Sequence, residues 1–359
     1  MEKITIKQHY LPAFILKRWK INNSKNFDKA QYYDVNTGES KKFTIRSEDD
    51  PFKIDNYYEH QSKEPNEIEG KLSQLEGAFA NVLIKVEEQL KTSTKIKVNR
   101  KELFFIRLFA IAQSTRSHSL QIAYETNDGD SAFRERHKGK SIEELKEMQI
   151  NHLSKLLDLF HMVQEGKTWI EVMKEISSFF REIDSEKIKQ GVPLLDMVDE
   201  TKFNAFKYLN WTFLNWIVID EHFDNFVLTD SGPIQTNAKL TPTPFFEVLP
   251  VNPKLAICFV NKFFPFFPNY EIEKAGLERN FGKTDLIDWK IENSAKDKKP
   301  EDYDWEDWYL YDITKISNWQ LSILNACRIS QVKEYVVYID EEDITEALER
   351  PIYRSEDQF

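Results

Sequence analysis

Glycine is scarce in this chain: only 10 of its 359 residues are glycine, under half the usual share of roughly 7%. Tight turns often need glycine at positive φ, so the scarcity argues against an all-β fold with many such turns. It also argues against glycine-rich phosphate loops, and neither G-x-x-x-x-G-K nor G-x-G-x-x-G occurs. We therefore expect a helix-rich protein that uses no nucleotide or flavin cofactor.

Cysteine content and hydropathy indicate the cellular compartment of the protein. Cys258 and Cys327 are its only cysteines, and neither has a Cys or His at metal-ligand spacing, which excludes a zinc ribbon or a disulfide scaffold. The start of the chain is charged and lacks the apolar core of a signal peptide. Its most apolar runs, 103–112 and 214–219, are far shorter than the roughly 20 residues that cross a bilayer. We expect a cytoplasmic protein without a membrane partner.

Charge is unevenly distributed along the chain, whose formal net charge is −11. Residues 1–46 hold ten Lys and Arg against four Asp and Glu, whereas residues 301–359 hold five against fifteen. The basic start could face a polyanion such as nucleic acid. Equally, the two ends could attract each other or simply be solvated surfaces.

Hydrophobic periodicity divides the chain into three regions. Residues 1–60 are predicted to form short strands and one short helix, and residues 64–220 are predicted to form helices. Residues 221–359 are predicted to form strands and loops with a C-terminal helix and strand. The predicted helices are 13–19, 66–90, 101–116, 141–164, 168–183, 200–219, 313–329 and 344–349. We expect one domain, 1–359, of the α+β class, in which a helix-rich centre is inserted between N- and C-terminal short strands that share a small mixed or antiparallel sheet.

Several short motifs occur in a recognisable order. They are Gln8-His9-Tyr10-Leu11-Pro12, Ile68-Glu69 with Leu75-Glu76, Gln113-Ser114-Thr115-Arg116, Leu228-Thr229-Asp230-Ser231-Gly232-Pro233, and Leu324-Asn325. This order resembles a widespread prokaryotic family catalogued as domain of unknown function 4238, whose hallmark is a Gln-His-Tyr-x-Pro start. The resemblance spans nearly the whole chain, so it implies one architecture and indicates where a site would lie. The family's Thr-Ser-Asp-Asn-Pro-like segment is altered here, although Asp230 keeps its place.

Three of these motifs carry candidate catalytic or metal-binding groups. His9 precedes a helix start, whose partial positive charge favours a neutral imidazole that could act as a base or ligand; the alternative is a structural role at this junction. Glu69 and Glu76 lie two helical turns apart on the border of an apolar stripe. With Asp230 they could hold a hard divalent cation, or they could be a solvated row of glutamates.

Arg116, Asp230 and Asn325 each admit a structural and a functional interpretation. Arg116 shares a face with apolar residues and needs a carboxylate partner, for which Glu76 is the candidate. This pair could be a clamp, or Arg116 could bind an anionic substrate. Asp230 could be a strand-end catalytic carboxylate or a turn former. Asn325 lies in an apolar helix and, if buried, must be hydrogen-bonded, which favours a structural role.

These residues support two hypotheses. The first is a metal-dependent phosphodiesterase or nuclease that uses Mg²⁺ or Mn²⁺. Its catalytic residues would be His9, Glu76, Arg116 and Asp230, its metal ligands Glu69, Glu76 and Asp230, and its substrate-binding residues Gln8, Tyr10, Gln113 and Asn325. The second is a non-catalytic sensor or interaction module whose polar cluster is structural. The aromatic segment 259–270 would then contact a protein partner or a second copy of the chain. A role in prokaryotic defence fits either hypothesis.

Overall fold

Helices occupy most of the centre of the chain, where the apolar periodicity predicts them. The structure is a computed structural model that describes residues 7–21, 28–55, 66–117, 138–192, 194–231, 234–235, 246–262 and 291–349. Short 3₁₀ helices span Lys17–Trp19, Ser177–Glu182, Leu194–Asp196 and Pro300–Asp302. The α-helices of the described residues are α1 (Ala13–Leu16), α2 (Glu67–Leu90), α3 (Arg100–Thr115), α4 (Ile142–Gln164), α5 (Trp169–Ile176), α6 (Ser185–Lys189), α7 (Glu200–Trp211), α8 (Asn318–Gln331) and α9 (Glu342–Glu349).

Side-chain caps explain where several of these helices begin. Asn99 accepts the N–H of Glu102 at the start of α3, while the Glu102 carboxylate accepts the N–H of Asn99. The same reciprocal capping box begins α4 at Ser141, α5 at Thr168 and α8 at Ser317. Each box satisfies main-chain N–H groups that would otherwise lack a partner in the first turn.

The strands form a large sheet, a small sheet and a separate pair. The strands are β1 (Lys7–His9), β2 (Lys29–Asp34), β3 (Glu39–Thr44), β4 (Lys53–Asp55), β5 (Lys95–Asn99), β6 (Thr212–Ile219), β7 (Leu228–Thr229), β8 (Ile234–Gln235), β9 (Phe246–Asn252), β10 (Leu255–Asn261), β11 (Ile291–Asn293), β12 (Trp308–Ile316) and β13 (Tyr335–Tyr338). The large sheet runs β11-β12-β6-β10-β9-β8, with β5 also paired to β12; the small sheet runs β3-β2-β13-β7; and β1 pairs with β4.

The fold class is α+β, as predicted. In the small sheet, β13 pairs antiparallel with β2 over Tyr335–Asp34 to Tyr338–Gln31. A strand from near the C-terminus therefore lies beside the predicted β2–β3 hairpin from near the N-terminus, in the kind of sheet that the sequence predicts. The predicted helical region 64–220 is not purely helical, because it contributes β5 and β6 to the large sheet.

Two predicted helices were wrong in part. The segment 200–219 is helical only to Trp211, and Thr212–Ile219 forms β6. Likewise, Ile313–Ile316 belongs to β12, which pairs parallel with β6, and the helix begins only at Asn318. Both misassigned stretches are short runs rich in β-branched or aromatic residues. Such runs fit a buried strand as well as a buried helix when periodicity is the only guide.

The core connects the motif-bearing segments. Trp19, just after α1, is fully buried and donates Nε1–H to the carbonyl of Phe226 over 2.8 Å, which ties the N-terminal segment to the approach of β7. Phe79 of α2 stacks on Phe109 of α3 with ring centroids 4.1 Å apart. Across the ranges described above, no helix has the length and apolar character needed to span a membrane.

Candidate functional site

His9 ends β1, and its imidazole faces the carboxylate of Asp50. Nε2 of His9 lies 3.1 Å from Oδ2 of Asp50; the His9 side chain is 19% exposed and that of Asp50 is 0% exposed. Asp50 also accepts the main-chain N–H groups of Arg46 and Phe52. Burial opposes ionisation of Asp50, yet the hydrogen bonds from His9 and these N–H groups lower its pKa below the ordinary value. The carboxylate thus orients the imidazole and also holds the turn from 46 to 52.

A chain of hydrogen bonds links the His9 segment to α2 and α3. Gln113 donates Nε2–H to the carbonyl of Tyr10 over 2.9 Å and accepts Nε–H of Arg116 over 3.0 Å. Nη1 of Arg116 lies 2.5 Å from Oε1 of Glu76, the partner predicted from the sequence. The Arg116 side chain is 1% exposed and that of Glu76 is 22% exposed. We call this chain, Tyr10–Gln113–Arg116–Glu76, the clamp, because it joins three buried segments.

Asp230 lies just after β7 and is 1% exposed. Its Oδ2 accepts the N–H groups of Glu334 at 2.8 Å and Tyr335 at 3.1 Å, and its Oδ1 accepts the N–H of Lys333 at 3.3 Å. The hydroxyl of Ser231 also donates to Oδ1. The carboxylate is therefore committed to fixing the start of β13, a segment 103 to 105 residues further along the chain.

Tyr10 lies between these groups. Its hydroxyl donates to the carbonyl of Pro51 over 3.3 Å, and the residue is 1% exposed. Burial raises the pKa of Tyr10 well above its ordinary value, and the charges of Asp230, Glu334 and Asp50 are among those that raise it further. The structure therefore gathers His9, Tyr10, the clamp and Asp230 into one region, around a phenol that keeps its proton.

Gln8 and Asn325, both predicted to bind substrate, are buried in elements of the fold. Gln8 is fully buried in β1, opposite Ile54 of β4. Asn325 accepts the N–H of Val227 at 3.1 Å and donates to the carbonyl of Asn225 at 2.8 Å. These two bonds attach α8 to the segment that leads into β7, which is the structural role expected from the sequence.

The predicted metal ligands do not assemble into a metal centre in the part of the chain that the structure describes. Glu69 is half-buried on α2, Glu76 faces Arg116, and Asp230 accepts main-chain N–H groups. No three His, Cys, Asp or Glu side chains among the described residues are placed to hold a metal ion. Among the described residues, Glu69, Glu76 and Asp230 therefore do not supply the several converging oxygen ligands that Mg²⁺ or Mn²⁺ needs, and a metal cofactor stays a prediction.

Arg328 is a buried cation near Asp230 that the motifs did not indicate. It is fully buried on α8 and donates from Nη1 to the carbonyl of Val248 and from Nη2 to the hydroxyl of Thr229. Burial lowers the pKa of Arg328 to about 9, while the charge of Asp230 opposes this shift. Its position four residues after Leu324, on the apolar face of the helix, is the sequence signal that could have identified it.

A cavity of about 910 Å³ lies among α3, α5, α7, β6 and β12. None of the predicted site residues lines it. Its aromatic walls include Phe104, Trp169, Phe213, Tyr303, Tyr309 and Tyr311. One signal for the cavity was present in the sequence: Arg107 stands in the apolar run 103–112 with no acidic residue three or four positions away. A cation in such a buried helix needs an acceptor from elsewhere in the fold.

The aromatic segment 259–270 begins within β10. Phe259 belongs to β10 and is 1% exposed, so this aromatic ring contributes to the core. Residues 263–270 lie outside the described residues.

Comparison with known proteins gives one match. A family model described as "Protein of unknown function (DUF4238)" matches residues 7–342, and so confirms the resemblance inferred from the motifs. No curated protein and no solved structure matches the chain.

Proposed function

The chain belongs to the DUF4238 family, and we propose that it is a non-catalytic sensor whose buried polar residues hold the fold together. The bonding of Asp230 carries this proposal. Both oxygens of that carboxylate accept main-chain N–H groups, and the side chain is almost inaccessible to solvent. A catalytic carboxylate needs free access to a substrate proton or a metal ion.

The clamp supports the same conclusion. Arg116 is directed toward Glu76 and Gln113, and both of these side chains lie within the protein fold. Removing one partner of a buried ion pair costs about 3–5 kcal/mol, because the remaining charge stays buried without compensation. That is a large part of the roughly 5–15 kcal/mol by which a folded domain exceeds its unfolded state in stability.

A cleavage assay tests this proposal. Wild-type protein is incubated with single- and double-stranded RNA and DNA in the presence of Mn²⁺ or Mg²⁺, beside His9→Ala and a surface control, His161→Ala. We expect no cleavage above the protein-free reaction by any of the three proteins. Cleavage that His9→Ala abolishes, while His161→Ala and wild type remain equally active and circular dichroism shows all three to be folded, would contradict the non-catalytic function.

Phosphodiester hydrolysis is the second candidate, and the pairing of His9 with Asp50 favours it. A buried carboxylate that orients a partly exposed imidazole is a common arrangement for general-base catalysis. Nucleic acid would approach through the basic region 1–46. Some described cations there have acidic neighbours, since Lys17 and Lys20 both lie within 4 Å of Asp28. The cleavage assay decides between the two candidates.

A further inference from the structure

The cavity among α3, α5, α7, β6 and β12 contains a buried cation bonded to neutral acceptors. Arg107 is 8% exposed. Its Nε donates to the carbonyl of Tyr208 at 2.9 Å, and its Nη atoms donate to the carbonyls of Leu103 and Thr212 at 3.4 Å each. Burial lowers the pKa of Arg107 from its ordinary value. Carbonyl dipoles hold the guanidinium in place but carry no net negative charge to balance it.

A second cation lies beside the first. Lys262 lines the same cavity, with Nζ 4.7 Å from the ring centroid of Phe213. Burial, together with the nearby charge of Arg107, lowers the pKa of Lys262 to about 8. In the part of the chain that the structure describes, no ion pair joins Arg107 or Lys262 to a carboxylate, and no carboxylate is among the charges that shift their pKa values.

The other charges at the cavity are balanced or exposed. Arg100 lies 3.0 Å from the carboxylate of Asp307, and its guanidinium stacks on the rings of Trp169 and Tyr303. Lys174 and Glu301, which also line the cavity, are both exposed and of opposite sign. Among the described residues, the cations of the cavity that lack a carboxylate and are shielded from solvent are therefore Arg107, which is buried, and Lys262, which is half-buried.

The volume and the aromatic walls of the cavity suit a small ligand that carries a flat ring. Its volume of about 910 Å³ lies within the roughly 300–1,000 Å³ typical of small-molecule sites. Aromatic side chains form much of its lining, and such side chains favour stacking with flat rings. Two positive groups that have lost part of their hydration repel each other. A bound phosphate or carboxylate would supply the negative charge that balances them.

We infer that this cavity binds a small organic anion with a flat aromatic ring, whose phosphate or carboxylate lies between Arg107 and Lys262. The ring would pack against the aromatic walls, near Trp169 and Tyr309. This inference rests on the proposed function, because it assigns the sensor its site and the class of its ligand. The cavity shares no residue with the clamp or with the His9–Asp50 pair.

Calorimetric titration tests the site with two groups of probes. The first consists of the four common ribonucleoside 5′-monophosphates and the second of the aromatic carboxylates benzoate, 1-naphthoate and indole-3-acetate; uncharged adenosine and inorganic phosphate are the controls. We expect at least one ring-bearing anion to bind, and both controls to bind at least about tenfold weaker. The group that binds distinguishes a phosphate ligand from a carboxylate ligand.

Variants locate the binding. Lys262→Gln should weaken binding of the active probe at least about tenfold, whereas Lys91→Gln, which removes an exposed lysine at the end of α2, should leave it unchanged. Arg107 also bonds to three carbonyls, so its replacement could unfold the protein. Met173→Trp, which narrows the cavity without removing a charge, is the second variant and should abolish binding without lowering the melting temperature.

Two results would overturn the inference: no binding by any anion of either group, or binding that both Lys262→Gln and Met173→Trp leave intact. Different results would contradict the proposed non-catalytic function and the inference that the cavity binds a ligand. Binding at the cavity together with His9-dependent cleavage keeps the cavity and ends the non-catalytic function. Absence of both binding and cleavage ends the cavity inference and leaves the structural role of the clamp standing.

Discussion

Arg116 is a fully buried cation whose charge balance depends in part on the carboxylate of Glu76. At the scale of single residues, this dependence makes the pair a sensitive point of the fold. The guanidinium also bonds to Gln113, which in turn holds the carbonyl of Tyr10. Replacing Glu76 should therefore destabilise the packing of the N-terminal segment as well as that of α2 and α3.

Glu76→Ala should lower the free energy of unfolding by about 3 kcal/mol, because the guanidinium of Arg116 stays buried and loses the carboxylate of Glu76. The matched control is Glu88→Ala on the same helix, since Glu88 is exposed and its ion pair is with the exposed Lys91; its effect should stay within about 0.5 kcal/mol. Urea unfolding followed by circular dichroism measures both. Equal stabilities for the two variants would show that the clamp contributes little.

Asp50 should make stability depend on pH in the acid range. Its pKa in the folded protein is lowered, so its ionised form stabilises the fold above its unfolded pKa of about 3.9, and this contribution is lost as pH falls through the folded pKa. Asp50→Asn removes the contribution. The difference in unfolding free energy between wild type and Asp50→Asn should therefore be larger at about pH 6 than at about pH 3. A difference that is constant with pH would contradict the assignment.

At the scale of elements, α8 is held to the segment before β7 by Asn325. The side chain satisfies one main-chain donor, at Val227, and one main-chain acceptor, at Asn225. Buried main-chain groups without partners are costly. The position of α8 therefore depends on this amide side chain, on apolar packing and on further hydrogen bonds such as those of Arg328 to Val248 and Thr229.

Asn325→Ala should destabilise the protein by about 2 kcal/mol and speed hydrogen exchange at the amide of Val227, which loses its acceptor. Ser330→Ala on the same helix is the control, because the Ser330 hydroxyl bonds to a carbonyl of its own helix, that of Cys327. Amide exchange measured by mass spectrometry compares the three proteins. If Val227 exchanges as slowly in Asn325→Ala as in wild type, the attachment lies elsewhere.

Apolar periodicity predicted most of the helices, but it assigned β6 and part of β12 to helices. The helices α2, α3 and α4 repeat apolar residues over four or more turns, which suffices to identify them. The strands β6 and β12 lie in the interior of a sheet, and their pairing with each other joins residues about a hundred positions apart. Such long-range pairing has no signature in the local sequence.

The candidate site was predictable to a similar extent. The partnership of Arg116 with Glu76 followed from helical spacing and the need to neutralise a buried charge. Asp50 could not be identified as the partner of His9, because the two are 41 residues apart and only the turn between β3 and β4 brings them together. The cavity likewise depends on packing among several helices and strands that are distant in sequence, which no single motif specifies.

At the scale of the whole molecule, charges for holding the fold and charges suited to ligand binding lie in different places. The clamp and Asp230 are bonded within the fold, whereas Arg107 and Lys262 face a cavity without a compensating acid among the described residues. The prediction of a single domain, 1–359, is compatible with a main core that includes residues from Tyr10 to Val337. It stays a prediction that limited proteolysis can test.

A crystal structure of the protein soaked in Mn²⁺ tests the central claim most directly, because anomalous scattering identifies the ion without reference to any activity. We predict no ordered Mn²⁺ at Glu69, Glu76 or Asp230, and an Asp230 carboxylate that still accepts the N–H groups of Glu334 and Tyr335. A Mn²⁺ ion bound by Asp230 together with either glutamate would contradict the structural role of these residues and would favour the hypothesis of a metal-dependent phosphodiesterase.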